Sequence, residues 1–163
     1  MAISQQTELP VLGWREWLEL PDLGIVKVKA KIDTGARSSA LHALAIECFN
    51  RAGRNMVRFK VFGNYQMLDQ PLSIEAELLD QRHVRSSSGQ AELRPIIQTH
   101  VAIPGQCWPI ELTLTDRTQM GFPMLLGRQA MRGRFTVDPG QSFLQSATRP
   151  HRFRSGLTQE DSE

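Results

Sequence analysis

The 163-residue chain has no apolar run approaching the roughly 20 residues that a bilayer-spanning helix needs, which excludes a helical membrane protein. Cysteine is scarce. Cys48 and Cys107 are too few for a disulfide scaffold and lack the C-x-x-C spacing of a redox pair or zinc clip, so both are expected to be reduced, packed thiols. A surplus of one charge is also missing, since a net charge of +2 is too small to imply a nucleic-acid partner. Met1 to Pro10 shows no basic residue followed by an apolar stretch, so no secretory leader is expected and cytoplasmic residence follows by default.

Several chemistries lack their signatures too. There is no G-x-x-x-x-G-K-[ST] loop for ATP phosphates, no H-E-x-x-H helix for zinc and no G-x-S-x-G elbow for a serine nucleophile. The four histidines, His42, His83, His100 and His151, are scattered without ligand spacing, so neither metal nor cofactor is expected; a zinc site assembled in space is the alternative. Lysine is rare, with Lys27, Lys29, Lys31 and Lys60 the whole complement among 19 basic residues. An arginine-rich face suits an acidic partner, because the guanidinium fork grips carboxylates bidentately, although codon preference alone gives the same skew.

What the chain does have is short strands with turns between them. Ile25 to Ile32 alternates strictly, Val26, Val28, Ala30 and Ile32 opposing Lys27, Lys29 and Lys31. Met56 to Phe62 sets Val57, Phe59 and Val61 against Arg58 and Lys60, while Ile110, Leu112 and Leu114 alternate with Glu111, Thr113 and Thr115. Weaker candidates are Val11 to Leu18, Ala40 to Phe49, Ile74 to Val84, Leu93 to Ile103 and Arg134 to Val137, with helical periodicity only around Arg128 to Met131. The pattern predicts one all-β domain, a barrel or sandwich, over residues 11–139, after an extension over 1–10 and before a polar, mobile tail over 140–163.

The strand ending at Ile32 runs straight into Asp33-Thr34-Gly35. Aspartic peptidases hold a carboxylate at a strand end, with a hydroxyl beside it to fix the loop and a glycine that lets backbone amides reach the carboxylate. Asp33, Thr34 and Gly35 fit those roles as candidate catalytic residues. A bare Asp-Thr-Gly arises by chance in roughly one chain of this length in thirty, so the tripeptide needs support. Support comes from Phe122-Pro123-Met124-Leu125-Leu126-Gly127-Arg128, an apolar run ending in glycine and opening a short helix.

Together with Gly13-Trp14-Arg15-Glu16-Trp17, Leu20-Pro21-Asp22-Leu23-Gly24, the whole of Ala30 to Ala43, Ser87-Ser88-Gly89 and Arg94-Pro95, these motifs make the chain resemble the bacterial retropepsin-like family often labelled ATP-dependent zinc proteases. The resemblance spans about Val11 to Pro139. It implies a closed acid-protease barrel with one short helix. It further implies an aspartic endopeptidase acting on α-linked glutamate chains, the product of an ATP-grasp ligase that modifies a small-subunit ribosomal protein. Leu126, Gly127 and Arg128 would pack against the catalytic loop, with His42 as its packed or hydrogen-bonded neighbour.

The hairpin that would cover the cleft, around Arg85 to Gln90, is serine-rich instead of glycine-rich, and Gln129 stands where Asn or Asp is common in the viral-type pattern. No other aspartate lies in D-[ST]-G, so a carboxylate pair requires a homodimer. An acidic substrate needs cations, and Arg37, Arg85 and Arg94, with Ser87 on the hairpin, are the candidates; Arg128 is expected to brace the loop. Two other readings are a non-catalytic module that binds acidic peptides and, weakly, an RNA- or ribosome-associated protein acting through Arg149, Arg152, Phe153 and Arg154.

Overall fold

The computed structural model describes residues 8–62, 71–85, 89–117 and 120–146. Apolar alternation gives most of the barrel strands one buried face, and the chain satisfies those faces by closing on itself. β1 (Val11–Leu12) is followed by β2 (Arg15–Leu20), a 3-10 turn at Pro21–Leu23, β3 (Ile25–Ile32) and β4 (Ser39–His42). Next come β5 (Leu44–Arg51), β6 (Arg54–Val61), β7 (Leu72–Glu77), β8 (Asp80–Arg85), β9 (Ala91–Ile103) and β10 (Gln106–Thr115). β11 (Met124–Leu126), the helix α1 (Arg128–Met131) and β12 (Thr136–Val137) complete the described order.

Six strands form a closed barrel in the order β10-β4-β11-β3-β2-β9, with β9 returning to β10; β8 extends β9 at one side. Closure removes the sheet edges and leaves a continuous core of Leu18, Val28, Leu41, Ile97, Leu112, Met124 and Leu126, all almost fully buried. β5, β6 and β7 make a separate three-stranded sheet whose Val57, Phe59, Val61 and Ile74 join the same core. β1 pairs with β12 in parallel, joining the two ends of the described chain. The all-β barrel with one short helix among the described residues agrees with the sequence reading.

Three details of that reading change. Val26 was expected inside but is 63% exposed, while Ile25 is buried. The pairing of β2 with β3 shifts between Leu18 and Leu20, so three steps along β3 face two along β2; this bulge breaks the alternation that placed Val26. Thr113 and Thr115, expected on a solvent face, are buried. Cys48 and Cys107 are free thiols as expected, but exposed instead of packed.

The packed chain also continues past residue 139, where the domain was expected to end. Phe143 stacks on Trp17 at 5.9 Å between ring centroids, and Ser146 is 1% exposed. Glu16 explains the attachment. It sits on β2 in phase with Leu18 and Leu20, pointing into the protein, and its Oε1 accepts from the amides of Gln145 and Ser146 and from the Ser146 hydroxyl, the last at 2.7 Å. Its Oε2 accepts from the amides of Gly13 and Leu144. Residues 147–163, including Arg149, Arg152, Phe153 and Arg154, lie outside the described residues.

Candidate active site

β3 and β11 lie side by side in parallel, Ile32 opposite Leu126, so both strands end at the same level. The chain leaving β3 forms the Asp33 loop, and the chain leaving β11 forms Gly127 and α1. The Asp33 amide donates to the Leu126 carbonyl at 2.9 Å, extending the pairing by one step and fixing the carboxylate at the strand end.

Within the loop, Asp33 Oδ1 accepts from the amides of Gly35 at 2.9 Å and Ala36 at 3.1 Å. A Cβ on Gly35 would stand 3.2 Å from that same oxygen, which is why glycine serves here. Oδ2 accepts no hydrogen bond from the described residues. One oxygen is therefore anchored and the other is left to water, substrate or a second carboxylate.

The segment after β11 holds the loop from below. Arg128 donates its amide to the Ala36 carbonyl and its Nη1 to the Thr34 carbonyl at 3.0 Å, and the Gln129 amide reaches the Arg37 carbonyl. Gly127 makes the contact possible, because a Cβ there would lie 2.4 Å from the Ser38 carbonyl oxygen. Its amide donates to the hydroxyl of buried Ser39 at 3.0 Å. Ser39 went unassigned in the sequence reading; its place six residues after Asp33, opposite the apolar-glycine motif, was the available signal.

Thr34 and Gly35 are exposed, and the Thr34 hydroxyl makes no hydrogen bond among the described residues. Arg37 is exposed on the same loop. Arg85 lies at the exposed end of β8, opposite Ala91 across the hairpin, and Arg94 pairs with Glu92 at 3.3 Å; neither bonds the Asp33 loop. Ser87 falls outside the described residues.

His42 is not beside the Asp33 loop. β11 and β4 are antiparallel, so Ser39 meets the Gly127 end and His42 the other, where its amide donates to Pro123. Its Nδ1 accepts from the Arg117 amide at 2.8 Å, and Asp116 lies 3.7 Å away. His100 is held by Asp22, whose carboxyl the imidazole hydrogen bond keeps below its ordinary range. Among the described residues no three His, Cys, Asp or Glu side chains gather as a metal would require. The described donor set therefore does not fit the zinc that the resembling family's label suggests.

A closed barrel carrying one Asp-Thr-Gly loop, braced by an apolar-glycine-arginine segment, defines a retropepsin-like domain. The chain belongs to the RimB-like family, described as retropepsin-like aspartic endopeptidase RimB, whose model matches residues 11–148. It is 40% identical over 133 residues to a Shewanella pealeana protein named "Probable alpha-L-glutamate ligase", covering 82% of this chain and 29% of that protein. A Parasynechococcus marenigrum protein of the same name is 43% identical over 79% of this chain and 28% of its own length. The chain thus spans under a third of these curated relatives. A Legionella pneumophila crystal structure of a protein of unknown function superposes with a TM-score of 0.71 at 28% identity, covering 84% of this chain and 98% of that one.

Proposed function

We propose that this chain is an aspartic endopeptidase that hydrolyses α-linked glutamate chains, such as those on a modified ribosomal protein. The observation that carries the reading is the half-anchored Asp33 carboxylate, tied through Oδ1 and open at Oδ2 at the mouth of a retropepsin-like loop. The curated relatives support the substrate. Their names speak of joining glutamate, and a peptidase-type domain aligned with under a third of such a protein is suited to cutting what the remainder makes.

One Asp-Thr-Gly loop per chain supplies one carboxylate, so the working enzyme is a symmetric homodimer with two Asp33 loops at the axis. Two carboxylates about 3 Å apart share one proton. The ionised member takes a proton from water as its oxygen attacks the scissile carbonyl, while the protonated member donates to the carbonyl oxygen. Collapse of that intermediate breaks the C–N bond, and the departing nitrogen takes up a proton. The exposed Thr34 hydroxyls are available to bond across the axis, and Arg37, Arg85 and Arg94 supply cations toward the substrate.

A second reading draws on the relatives' names: a domain that holds glutamate chains for a ligase without cutting them. Incubating α-linked polyglutamate with the purified protein and following chain length by mass spectrometry separates the two. Shortening by the wild type and none by Asp33→Asn is expected, with no loss on adding a chelator. Binding without shortening selects the holding module, and zinc-restored activity after chelation selects a metallopeptidase. Mixing wild-type and Asp33→Asn subunits should lower activity faster than the wild-type fraction falls; a fully active monomer overturns the dyad.

A further inference from the structure

β11 covers only the last part of β3, pairing with Ala30 to Ile32, and beyond Met124 the space between β3 and β4 is not filled by a strand. A cavity of about 470 Å³ opens there, walled by Trp17, Phe62, Phe122 and Pro123, with Lys27, Lys29, His42 and Arg117 at its polar surface. No carboxylate among the described residues lines it. Asp116, 3.7 Å from His42 Nδ1, is the acid recorded beside it. Lys27, Lys29 and Lys31 make no ion pair with any described carboxylate within 4 Å, unlike Arg51, Arg58, Arg82 and Arg94, which all do.

We propose that this cavity, with the lysine row of β3, binds the glutamate side chains of the substrate on one side of the scissile bond. The inference rests on the cleavage reading above and adds a cation site beyond Arg37, Arg85 and Arg94. Residues on one face of a strand recur every ~6.6 Å, and the side chains on one face of an extended peptide recur at the same interval. Lys31 and Lys29, two and four residues before Asp33 on the regular part of β3, therefore match successive same-face carboxylates of an extended glutamate chain, and Lys27 follows them in the bulged stretch. Lys29, four residues from Asp33, would meet a side chain ~13 Å from the reacting carboxylate.

The aromatic walls hold the amines in place. Lys27 Nζ lies 4.3 Å from the Trp17 ring centroid, and Lys29 Nζ lies 5.9 Å from Trp17 and 5.6 Å from Phe122. Those faces are occupied by the protein's own cations. A single-stranded nucleic acid, which needs free aromatic faces for its bases, is the poorer fit.

The test uses the full chain with Lys27→Gln and Lys29→Gln combined, and the arginine pair Lys27→Arg with Lys29→Arg as the charge-preserving control. On α-linked polyglutamate the glutamine pair should raise KM about tenfold while kcat stays within about twofold, and the arginine pair should restore KM. In an Asp33→Asn background the glutamine pair should weaken binding of the same chain by a similar factor, with the difference shrinking at high salt. If the wild type cuts polyglutamate and the glutamine pair changes neither KM nor binding, the inference is overturned and the cleavage reading stands. If the wild type neither binds nor cuts polyglutamate, the cleavage reading fails and the inference with it. Tighter binding of a single-stranded oligonucleotide than of polyglutamate, lost in the glutamine pair, overturns it in favour of nucleic acid.

Discussion

Two carboxylates on neighbouring strands have opposite surroundings. Glu16 on β2 is fully buried and receives five hydrogen bonds, with both oxygens engaged. Asp33 at the end of β3 is half-buried and receives two, both on Oδ1. A carboxylate surrounded by donors is spent on structure: any new partner would have to displace one it already holds. A carboxylate anchored on one oxygen keeps its direction and retains free lone pairs, as a group that handles protons requires. Hydrogen-bond saturation separates the two roles more sharply than burial or residue type does.

The largest effect should come from removing each acid in turn. Asp33→Asn should lower turnover of glutamate chains on the order of 10²–10⁴-fold with the melting temperature nearly unchanged. Glu16→Ala should do the reverse. It strands the buried amides of Gly13 and Ser146 and the part-buried ones of Leu144 and Gln145 without an acceptor, and a loss of about 3 kcal/mol or more is expected in denaturant unfolding, with activity per folded molecule retained. Full activity in Asp33→Asn, or an unshifted unfolding midpoint in Glu16→Ala, would break the comparison.

The Asp33 side of this contrast was legible in the sequence and the Glu16 side was not, and the reason is distance along the chain. Asp33, Gly35 and Ala36 are contiguous, and the strand before them has boundaries that alternation alone locates at Ile25 and Ile32. Glu16 finds three of its partner residues 128 to 130 positions away, in a segment that composition marks as polar tail. A trace was present, since Glu16 shares the phase of Leu18 and Leu20 and an alternating strand puts it inward. His42 was misplaced for a related reason: sequence shows it nine residues after Asp33 but not that β4 runs back along the short β11, carrying it to the far end. The cavity beside it depends on where β11 stops, and no local pattern reports that.

A middle-sized effect tests how the open carboxylate is held. Gly127→Ala places a methyl 2.4 Å from the Ser38 carbonyl oxygen, so α1 must move off the loop, at about 1–3 kcal/mol of stability, with activity falling as well. Arg128→Ala removes the side-chain bond to the Thr34 carbonyl but keeps the backbone contacts, and should cost about 0.5–1.5 kcal/mol and a few-fold in kcat. Unlike Glu16→Ala, both variants should lose activity in the molecules that remain folded. Retained kcat in either would mean that the loop is rigid without its brace.

The smallest effect belongs to a third carboxylate, level with Asp33 in bonding and far more exposed. Asp22 accepts from the His100 amide at 2.9 Å and meets its Nδ1 at 2.7 Å, and these bonds, the side-chain one first, lower its titration below the ordinary carboxylate range. A carboxyl lowered in the folded state adds stability above its unfolded titration, near pH 4, and loses it as the pH falls through the folded value. Asp22→Asn should therefore differ slightly from the wild type at neutral pH and converge on it in acid, because the wild-type group is then protonated as well. Side chains half open to water screen the pair, so the difference should also shrink in salt, which the five bonds to fully buried Glu16 would not do. Unfolding midpoints of the Asp22→Asn and Glu16→Ala proteins between pH 3 and pH 7 compare the two directly. A gap for Asp22→Asn that persists in acid would show that its contribution is not the ionised carboxylate, and that counting donors, which ranks it level with Asp33 and below Glu16, does not describe this exposed pair.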